Sequence, residues 1–280
     1  MFKIFRQKIG IIGVGNMGLA IAERIKSRYR LFVFDKEQGK TDKLIDACVC
    51  RGIRDLVRET NVIILAVKPQ DFGAVLSEIK DNAQAKLIIS IAAGIETQYI
   101  EKMLGKVRVI RAMPNIAAKI GKAETVLCKG KNSKEKDLNF AIGLFNCIGE
   151  TLVMNEDKLN AAAAISGSGP AYIYYDMQKN NIDPTNITEE KKQEYKKRLE
   201  KAAKRVGIDS SAAMLLAIST TNASIDLISA MGIPLEELRM QITSKGGITE
   251  AALQVLAKGD SWEEAALAAK KRAEELSKKE

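Results

Sequence analysis

The sequence predicts an α/β protein whose first half is a parallel, doubly wound sheet and whose second half is all-α. Short apolar runs alternate with helical patterns through roughly the first 110 residues, which favours a sheet covered by helices on both faces. A glycine-rich turn follows the first apolar run, and no strand-like run occurs from Asn160 onward. We therefore expect one domain at 1–157 and a second, helical domain at 158–280.

The elements of the first half follow from this alternation. Continuous apolar runs predict strands at Lys8–Ile12, Arg30–Phe34, Val62–Val67, Leu87–Ile91 and Val107–Ile110. Helical patterns predict helices at Leu19–Ser27, Phe72–Ile79 and Thr97–Leu104, and the polar stretch Thr41–Arg58 is also helix-like.

The second half is rich in alanine, leucine, methionine, glutamate and lysine, which all favour helices. Helices are predicted at Leu159–Ile165, Ala171–Gln178, Glu190–Val206, Ser210–Ala230, Pro234–Ile242, Glu250–Ala257 and Trp262–Leu276. The polar stretch Asn180–Thr188 is the best candidate for a loop in this half.

Composition excludes several classes of protein. Apolar residues make up 46% of the chain, and no uncharged apolar stretch approaches the ~20 residues of a membrane span. The basic start, Met1–Arg6, runs into a strand without an apolar signal core, so we expect a cytoplasmic protein without a membrane partner. Four scattered cysteines predict no metal site, and the absence of histidine excludes Ser-His-Asp and Cys-His catalysis.

A net charge of +9 raises the possibility of a nucleic-acid partner. The charges concentrate at residues 189–205 and 270–280, where Lys and Glu alternate at helical spacing without interleaved aromatic residues. That pattern is typical of solvated helix faces. We therefore expect no nucleic-acid partner, although a basic surface would steer an anionic ligand.

The glycine turn lies between the first strand and the first helix. Gly13 permits the tight turn, Gly15 lets the backbone approach a pyrophosphate, and Gly18 lets the helix pack on the strand. Asp35 ends the second strand, 22 residues after Gly13, where an acidic residue binds the ribose hydroxyls. The turn and the acid together predict a Rossmann domain that binds a dinucleotide.

The identity of the dinucleotide is less constrained. Asp35 favours a ribose 2′-hydroxyl over a 2′-phosphate, whereas Lys36 and Lys40 could shield a phosphate. We expect NADH or NADPH, with a slight preference for NADH. Tyr175 and Lys179 also have the spacing of a short-chain dehydrogenase pair, but the glycine pattern and the helical context do not fit that class.

Five further segments together resemble the pyrroline-5-carboxylate reductase family. They are Ala66–Gln70, Ser90–Ile95, Arg111–Asn115, Ser166–Tyr172 and Thr243–Thr249. Each segment alone is a modest signal, but the ordered set covers nearly the whole chain.

This resemblance implies a Rossmann domain followed by a helical dimerisation domain. It implies reduction of the cyclic imine 1-pyrroline-5-carboxylate to L-proline by NADH or NADPH, a step of proline biosynthesis. It also implies a homodimer or a higher homo-oligomer that interleaves the helical domain. The cofactor crevice and Thr249 are then expected to meet across two subunits.

Ligands of open α/β sheets bind beyond the carboxyl ends of the strands, and the resemblance supports cofactor contacts there. The residues expected to bind the cofactor are Gly13, Val14, Gly15, Asn16, Met17, Gly18, Asp35, Lys36, Ala66, Val67, Lys68, Pro69, Ala93 and Asn115. The segment Ser166–Pro170 is interpreted mainly as a packing element that lets a helix start close to a neighbour.

A second glycine-containing loop precedes a helix near the end of the chain and is expected to bind the substrate. Its residues are Ser244, Lys245, Gly246, Gly247, Ile248 and Thr249. Free backbone N–H groups at a helix start suit a carboxylate. Thr249 matches the family threonine that hydrogen-bonds the imine nitrogen, which makes it the expected catalytic residue. A plain helix cap with Thr249 as the N-cap is the alternative.

The sequence departs from the family pattern in four places. Lys245 replaces a proline, Ile248 is bulkier than usual, Ile53 stands where an asparagine often contacts the cofactor, and 179–197 is an extra segment. These departures keep two alternatives open: a related imine or carbonyl reductase with a different anionic substrate, and a non-catalytic nucleotide-binding regulator.

Overall fold

The structure, a computed structural model, describes residues 6–278. Residues 1–5, which make up most of the basic start, and residues 279–280, the end of the charged 270–280 stretch, lie outside the described residues. A single sheet of eight strands has the order β3-β2-β1-β4-β5-β6-β7-β8. The strands are β1 Lys8–Ile12, β2 Arg30–Phe34, β3 Cys48–Val49, β4 Val62–Leu65, β5 Leu87–Ser90, β6 Arg108–Pro114, β7 Ala123–Lys129 and β8 Gly149–Val153.

Helices lie between the strands of the first half and form the whole of the second half. They are α1 Asn16–Ile25, α2 Ile53–Glu59, α3 Pro69–Ile79, α4 Thr97–Leu104, α5 Glu135–Phe145, α6 Glu156–Ala162, α7 Gly169–Lys179, α8 Glu189–Arg205, α9 Ser210–Met231, α10 Leu235–Ile242, α11 Ile248–Ala257 and α12 Trp262–Lys278. A π-helical turn, Ala163–Gly167, joins α6 to α7.

The central strands are buried because helices cover both faces of the sheet. Every residue of β4 and β5 is buried, which explains their continuous Ile, Leu and Val sequences. Strands β1 to β6 pair in parallel, with Ile11 opposite Val33 on one side and Ile64 on the other. The α/β class with a Rossmann-type sheet and a helical second half is confirmed.

The far side of the sheet differs from the expectation. Strand β7 pairs antiparallel with β6, and β8 pairs parallel with β7. The apolar-run criterion missed β7, β8 and α5. In β7 the polar residues Glu124 and Thr125 are buried among apolar neighbours, so the strand lacks the uninterrupted apolar run of the central ones.

The predicted helix at Thr41–Arg58 is wrong. A short 3-10 helix at Gln38–Lys43, strand β3 and helix α2 occupy this stretch. Asp46 has a positive φ of 75°, which breaks any helix, and Cys48 pairs with Phe32 at the sheet edge. Pairing with β2 outweighs a weak helical pattern here.

The extra segment folds into a helical hairpin. Helix α7 ends at Lys179, the predicted loop at Asn180–Thr188 separates it from α8, and α8 packs along α9 and α12. Tyr195 of α8 is fully buried and stacks on Trp262 of α12 with ring centroids 5.7 Å apart. The segment therefore contributes to the helical core.

Among the helices in the described part of the chain, only α9 is long and apolar enough by composition to cross a membrane, with a mean hydropathy of 1.3. One side of it is buried against α7 and α8, with Leu216 and Leu227 fully enclosed. Its opposite side exposes Met214, Leu215 and Ile218.

Candidate active site

The first glycine turn has the geometry of a phosphate-binding turn. Gly13 has a φ of +97°, and a Cβ there would lie 2.7 Å from the Ala66 backbone. A Cβ on Gly18 would lie 2.0 Å from the Gly13 carbonyl oxygen, so α1 packs on the turn only because Gly18 has no side chain. Nothing lies within 4 Å of the Cβ position of Gly15. That open space lets a phosphate approach the backbone.

Helix α1 presents an uncapped N-terminus beside this space. Its N-cap residue, Gly15, makes no side-chain cap, and the first turn contains no acidic residue. Unpaired N–H groups and the positive end of the helix dipole therefore remain for an anion. The turn and the helix start fit the pyrophosphate of a dinucleotide.

Asp35 is held in place at the end of β2. Its two carboxylate oxygens accept hydrogen bonds from the backbone N–H groups of Val14, at 2.7 Å, and Glu37, at 2.9 Å. The side chain is 8% exposed and faces a cavity of about 580 Å³. Each carboxylate oxygen accepts more than one bond, so Asp35 remains able to bind a hydroxyl.

Charged pairs surround the cavity beside Asp35. Lys36 lies 3.0 Å from a carboxylate oxygen of Asp71, and Lys40 lies 2.7 Å from one of Glu37. Lys40 is 3.9 Å from Asp35. Both lysines are therefore engaged by carboxylates at this cavity.

A second cavity, of about 470 Å³, lies between the carboxyl ends of the strands and the helical half. Lys68 and Gln70 line both cavities, so the two adjoin. The expected cofactor contacts that line the second cavity are Asn16, Met17, Lys68, Pro69, Ala93 and Asn115. All the expected substrate contacts also line it: Ser244, Lys245, Gly246, Gly247, Ile248 and Thr249.

The two sides of this cavity belong to one chain. Asn16 Nδ2 donates to the Gln241 backbone oxygen at 3.4 Å, and Lys119 Nζ donates to Gln241 Oε1 at 2.6 Å. Within this single chain the cofactor crevice and Thr249 therefore line one cavity, whereas the family resemblance implies that they meet across two subunits. The α7–α8 hairpin and the helices after it place Thr249 over the strand ends of its own chain.

Two charged side chains shape the substrate loop from outside the cavity. Glu250 Oε2 accepts from the Gly246 N–H at 2.8 Å, and Arg272 Nε donates to the Gly246 oxygen at 2.8 Å. A Cβ on Gly247 would lie 2.3 Å from Ser244 Oγ, so the turn requires glycine there. Lys245 is exposed at the cavity mouth.

Helix α11 begins at Ile248, and its N-cap is Gly247. Thr249 lies inside the first turn, so the alternative interpretation of Thr249 as the N-cap is wrong. Its side chain is 4% exposed. Thr249 Oγ1 lies 3.0 Å from Ser168 Oγ, which sequence reasoning had treated as part of a packing element.

Asn115 carries an unpaired donor at the same cavity. It is 1% exposed, and its Oδ1 accepts bonds from the backbone N–H groups of Ala117 and Glu124. Its Nδ2 has no hydrogen-bond partner. Because a buried unpaired N–H is costly, this amide is suited to an acceptor group of a bound ligand.

Two of the expected cofactor contacts, Val14 and Gly18, line neither cavity and instead stabilise the turn. Val14 is buried and donates its N–H to Asp35, and Gly18 allows the close packing described above. The remaining expected cofactor contacts, Gly13, Gly15, Asp35, Lys36, Ala66 and Val67, line the first cavity together with Lys68, which lines both cavities. Sequence reasoning missed Gln241 and Leu276, which line the second cavity, and Lys119, which holds Gln241.

Within residues 6–278, no group of three or more Cys, Asp and Glu side chains is arranged to hold a metal ion. The cysteines described are all free thiols. Burial raises the pKa of the Cys128 thiol to about 12, so that thiol stays protonated.

Comparison with known proteins gives two family matches. Residues 8–94 match the family described as NADP oxidoreductase coenzyme F420-dependent, and residues 195–276 match pyrroline-5-carboxylate reductase dimerisation. The second match begins at Tyr195, within α8, and so excludes the whole α7–α8 loop.

Two of the similar proteins are pyrroline-5-carboxylate reductases. Pyrroline-5-carboxylate reductase 2 of Bacillus subtilis is 32% identical over 89% of this chain and 87% of its own length. Pyrroline-5-carboxylate reductase of Methanosarcina acetivorans is 32% identical over 98% of this chain and 99% of its own length.

Solved structures show the same likeness. A pyrroline-5-carboxylate reductase from Coxiella burnetii is 30% identical, with a TM-score of 0.64 over 97% of this chain and 99% of that one. Pyrroline carboxylate reductase of Plasmodium falciparum, with NADP bound, is 26% identical, with a TM-score of 0.65 over 98% of this chain and 99% of that one.

Proposed function

The chain belongs to the pyrroline-5-carboxylate reductase family, and we propose on that premise that it reduces 1-pyrroline-5-carboxylate to L-proline with NADH or NADPH. One observation carries the proposal. The strand-end residues expected on the nicotinamide side and the loop that bears Thr249 line a single cavity. A cavity of about 470 Å³ is the size of a small-molecule site.

The first half of the chain supplies the cofactor contacts. The uncapped start of α1 and the space beside Gly15 accept the pyrophosphate, and Asp35 accepts hydrogen bonds from the ribose hydroxyls. The unpaired Asn115 Nδ2 donates to an acceptor on the nicotinamide side. When bound, the nicotinamide ring supplies a hydride to the imine carbon.

The second half supplies the substrate contacts. The start of α11 and its positive dipole end face the substrate carboxylate. Because Glu250 occupies the Gly246 N–H and the Ser244 oxygen accepts from the Gly247 N–H, the carboxylate binds at the N–H groups that begin at Ile248. The buried Thr249 hydroxyl then hydrogen-bonds the ring nitrogen.

Positioning of the imine against the cofactor is the main source of rate acceleration in this site. The chain has no histidine, and buried Thr249 is a neutral hydroxyl. Holding the imine carbon against the cofactor can supply about 7–11 kcal/mol of the barrier reduction. The bonds from Asn16 and Lys119 to Gln241 keep the two sides of the cavity at a fixed separation.

We propose NADH as the preferred cofactor. Asp35 and Glu37 line the first cavity, and Lys36 and Lys40 are each paired with a carboxylate there. A 2′-phosphate at Asp35 would meet two negative charges while displacing existing ion pairs. The NADP-bound relative from Plasmodium falciparum makes NADPH the necessary comparison.

We propose that a second copy of the chain covers the exposed apolar side of α9. Met214, Leu215 and Ile218 are 37–52% exposed there, and the neighbouring edge strand β8 exposes Val153. Exposed apolar clusters mark association sites, and the family match named for dimerisation contains α9. A homodimer that uses this surface retains a complete cavity in each chain.

We also propose the division at residue 157. The last strand ends at Val153 and α6 begins at Glu156, which supports a sheet domain at 1–157 and a helical domain at 158–280.

The test is a spectrophotometric assay with pyrroline-5-carboxylate and each cofactor. Wild type should oxidise NADH faster than NADPH at equal, subsaturating concentrations. Thr249→Val should lose about 10²-fold or more in turnover, the size of an ordinary polar contribution to catalysis. Absence of imine-dependent NADH oxidation in the wild type contradicts the proposal.

One observation favours a second candidate, a reductase for an imine with an additional anionic group. Exposed Lys245 adds a cation at the cavity mouth where the family has proline. A panel of cyclic imino acids with one and two carboxylates separates the candidates, because the second candidate requires a higher kcat/KM for the dianion and a loss of that preference in Lys245→Pro.

A further inference from the structure

The substrate loop contains a tight turn at Ser244–Gly247. The Ser244 backbone oxygen accepts from the Gly247 N–H at 2.9 Å, and Gly246, the third residue of the turn, has a φ of +71°. Lys245, the second residue, does not have a positive φ. These features define a type II turn, in which only the third position needs a positive φ.

Packing does little to hold this turn, because Ser244, Lys245 and Gly246 are exposed. A type II turn differs from a type I turn mainly in the two angles on either side of its central peptide, which change by about 150–170°. That peptide joins Lys245 to Gly246. Since glycine adopts either sign of φ readily, contacts with other side chains must fix the orientation of this peptide.

Glu250 supplies the contact to the central peptide. Its Oε2 accepts from the Gly246 N–H at 2.8 Å, and rotation of the peptide into the type I orientation would turn that N–H away from the carboxylate. Glu250 lies in the first turn of α11. The hydrogen bond therefore ties the turn to the helix that bears Thr249.

The next peptide, between Gly246 and Gly247, is held at both ends. Arg272 Nε, on α12, donates to the Gly246 oxygen at 2.8 Å, and the Ser244 oxygen accepts the N–H of the same peptide. The N–H that follows belongs to Ile248, the first residue of α11, and it has no acceptor within the helix. Hydrogen bonds thus orient both peptides that precede this N–H.

We propose that Glu250 and Arg272 are positioning residues that fix the substrate loop in its binding conformation before the substrate carboxylate arrives. This inference rests on the proposed function. A loop that is ordered in the free protein loses less entropy when the ligand binds, so its affinity is higher. Neither side chain lines the substrate cavity, so both act through the backbone of the loop.

The charge of Glu250 separates this role from a purely electrostatic one. A carboxylate in the first turn of α11 repels an anion bound at the start of that helix, so removal of the charge alone should increase affinity. Glu250→Gln removes the charge but keeps a side-chain oxygen that accepts from the Gly246 N–H. Glu250→Ala removes both. The two variants are therefore expected to have different effects.

Steady-state kinetics with pyrroline-5-carboxylate measure these effects. Glu250→Ala should raise KM for the imine about 3- to 10-fold, the size of one lost hydrogen bond, with a smaller fall in kcat and an unchanged KM for the cofactor. Glu250→Gln should leave KM for the imine at or below the wild-type value. Arg272→Met should also raise it, and Glu275→Gln, which removes only an ion pair of Arg272 with a partly exposed carboxylate, is the control.

Lys245→Pro tests the turn itself. Proline followed by glycine at the two central positions favours a type II turn, and none of the described hydrogen bonds uses the Lys245 N–H that proline would remove. A turn stiffened in this way depends less on Glu250. Glu250→Ala should therefore raise KM for the imine by a smaller factor in the Lys245→Pro background than in wild type.

Hydrogen exchange reports on the loop without turnover. Mass spectrometry of a peptide spanning 243–249 should show faster amide exchange in Glu250→Ala than in wild type, and exchange close to wild type in Glu250→Gln. Unchanged exchange in Glu250→Ala overturns the inference, as does an equal change of KM in Glu250→Ala and Glu250→Gln. A variant that raises KM for imine and cofactor alike has only disturbed packing, which also counts against the inference.

The two proposals fail in different ways. If folded wild type does not oxidise NADH with the imine, the proposed function fails, and the exchange measurement still decides whether Glu250 holds the loop. If wild type is active but Glu250→Ala has the wild-type KM for the imine, the proposed function stands and the inference is overturned.

Discussion

Lys119 Nζ donates a hydrogen bond to Gln241 Oε1 at 2.6 Å and thereby joins the sheet half to the helical half at the substrate cavity. Burial lowers the pKa of Lys119, and the nearby Glu237 carboxylate opposes this shift. Gln241 is held a second time, through its backbone oxygen, by Asn16 at the start of α1. One residue of α10 thus connects to both the cofactor turn and the segment after β6.

Lys119→Met should loosen the cavity without changing its reacting groups. Loss of one charged hydrogen bond should raise KM for the imine by about 3- to 10-fold while kcat falls less. Steady-state kinetics at saturating cofactor give both values. Lys122→Met is the matched control, because Lys122 also joins the two halves, through Asp226, but in an exposed pair. Equal KM effects in the two variants would contradict a specific role for Lys119.

Asp35→Asn should change cofactor preference. The amide keeps one acceptor for the Val14 N–H but removes the negative charge that a 2′-phosphate would meet. The ratio of kcat/KM for NADPH to that for NADH should rise at least about tenfold. Glu37→Gln, which alters a 61% exposed carboxylate nearby, should shift the ratio much less. An unchanged ratio in Asp35→Asn would remove Asp35 from cofactor selection.

Because each chain contains a complete site, we expect that two variants with defects on opposite sides of the cavity do not restore activity to each other in a mixed dimer. Gly15→Glu places a carboxylate in the open space beside the pyrophosphate position, and Thr249→Val alters the other side of the cavity. Both variants should be nearly inactive alone and remain so when co-expressed with different tags and purified as mixed dimers. If the two sides of each site came from different subunits, about one site in two of these mixed dimers would regain activity.

The parts of this site that the sequence predicts are those where backbone geometry limits residue choice. Gly13 needs a positive φ, and Gly247 leaves no space for a Cβ, so the glycines mark both loops. Ile11 and Ile64 lie in strands buried on both faces, which explains their unbroken apolar runs. These constraints act locally and are therefore visible in the sequence.

Other parts depend on pairings between distant residues. Ser168 and Thr249 are 81 positions apart, and Lys119 and Gln241 are 122 apart. No local pattern distinguishes Ser168 as a partner of Thr249 from Ser168 as a small residue at a helix start. Strand β7 was missed for the same reason, because its antiparallel pairing with β6 tolerates buried polar residues such as Thr125 that interrupt its apolar pattern.

A further prediction concerns the contacts that hold the extra segment to α7. Asp176 of α7 is a carboxylate surrounded by side chains of α8. Arg198 lies 2.7 Å from one carboxylate oxygen, and the Tyr195 hydroxyl donates to the other at 3.1 Å. Burial alone would raise the pKa of Asp176. The bond and charge of Arg198, the charge of Lys191 and the Tyr195 hydroxyl outweigh burial and lower that pKa below its ordinary value.

Asp176→Asn should lower the free energy of unfolding at pH 7 by about 1–3 kcal/mol, since Arg198 loses its partner but remains partly solvated. A lowered pKa in the folded state means that the ionised form stabilises the fold. That contribution is fully present above the ordinary aspartate pKa of about 4 and is lost as pH falls through the lower folded value. The difference between wild type and variant should therefore shrink below about pH 4.

Urea unfolding followed by circular dichroism between pH 2.5 and 7 measures this difference. Asp260→Asn, at an exposed position just before α12, is the control and should leave the free energy of unfolding nearly constant relative to wild type. A difference for Asp176→Asn that stays the same across the whole pH range would show that the carboxylate charge does not hold α7 to α8. Packing of Tyr195 on Trp262 would then be the interaction that joins the extra segment to the helical core.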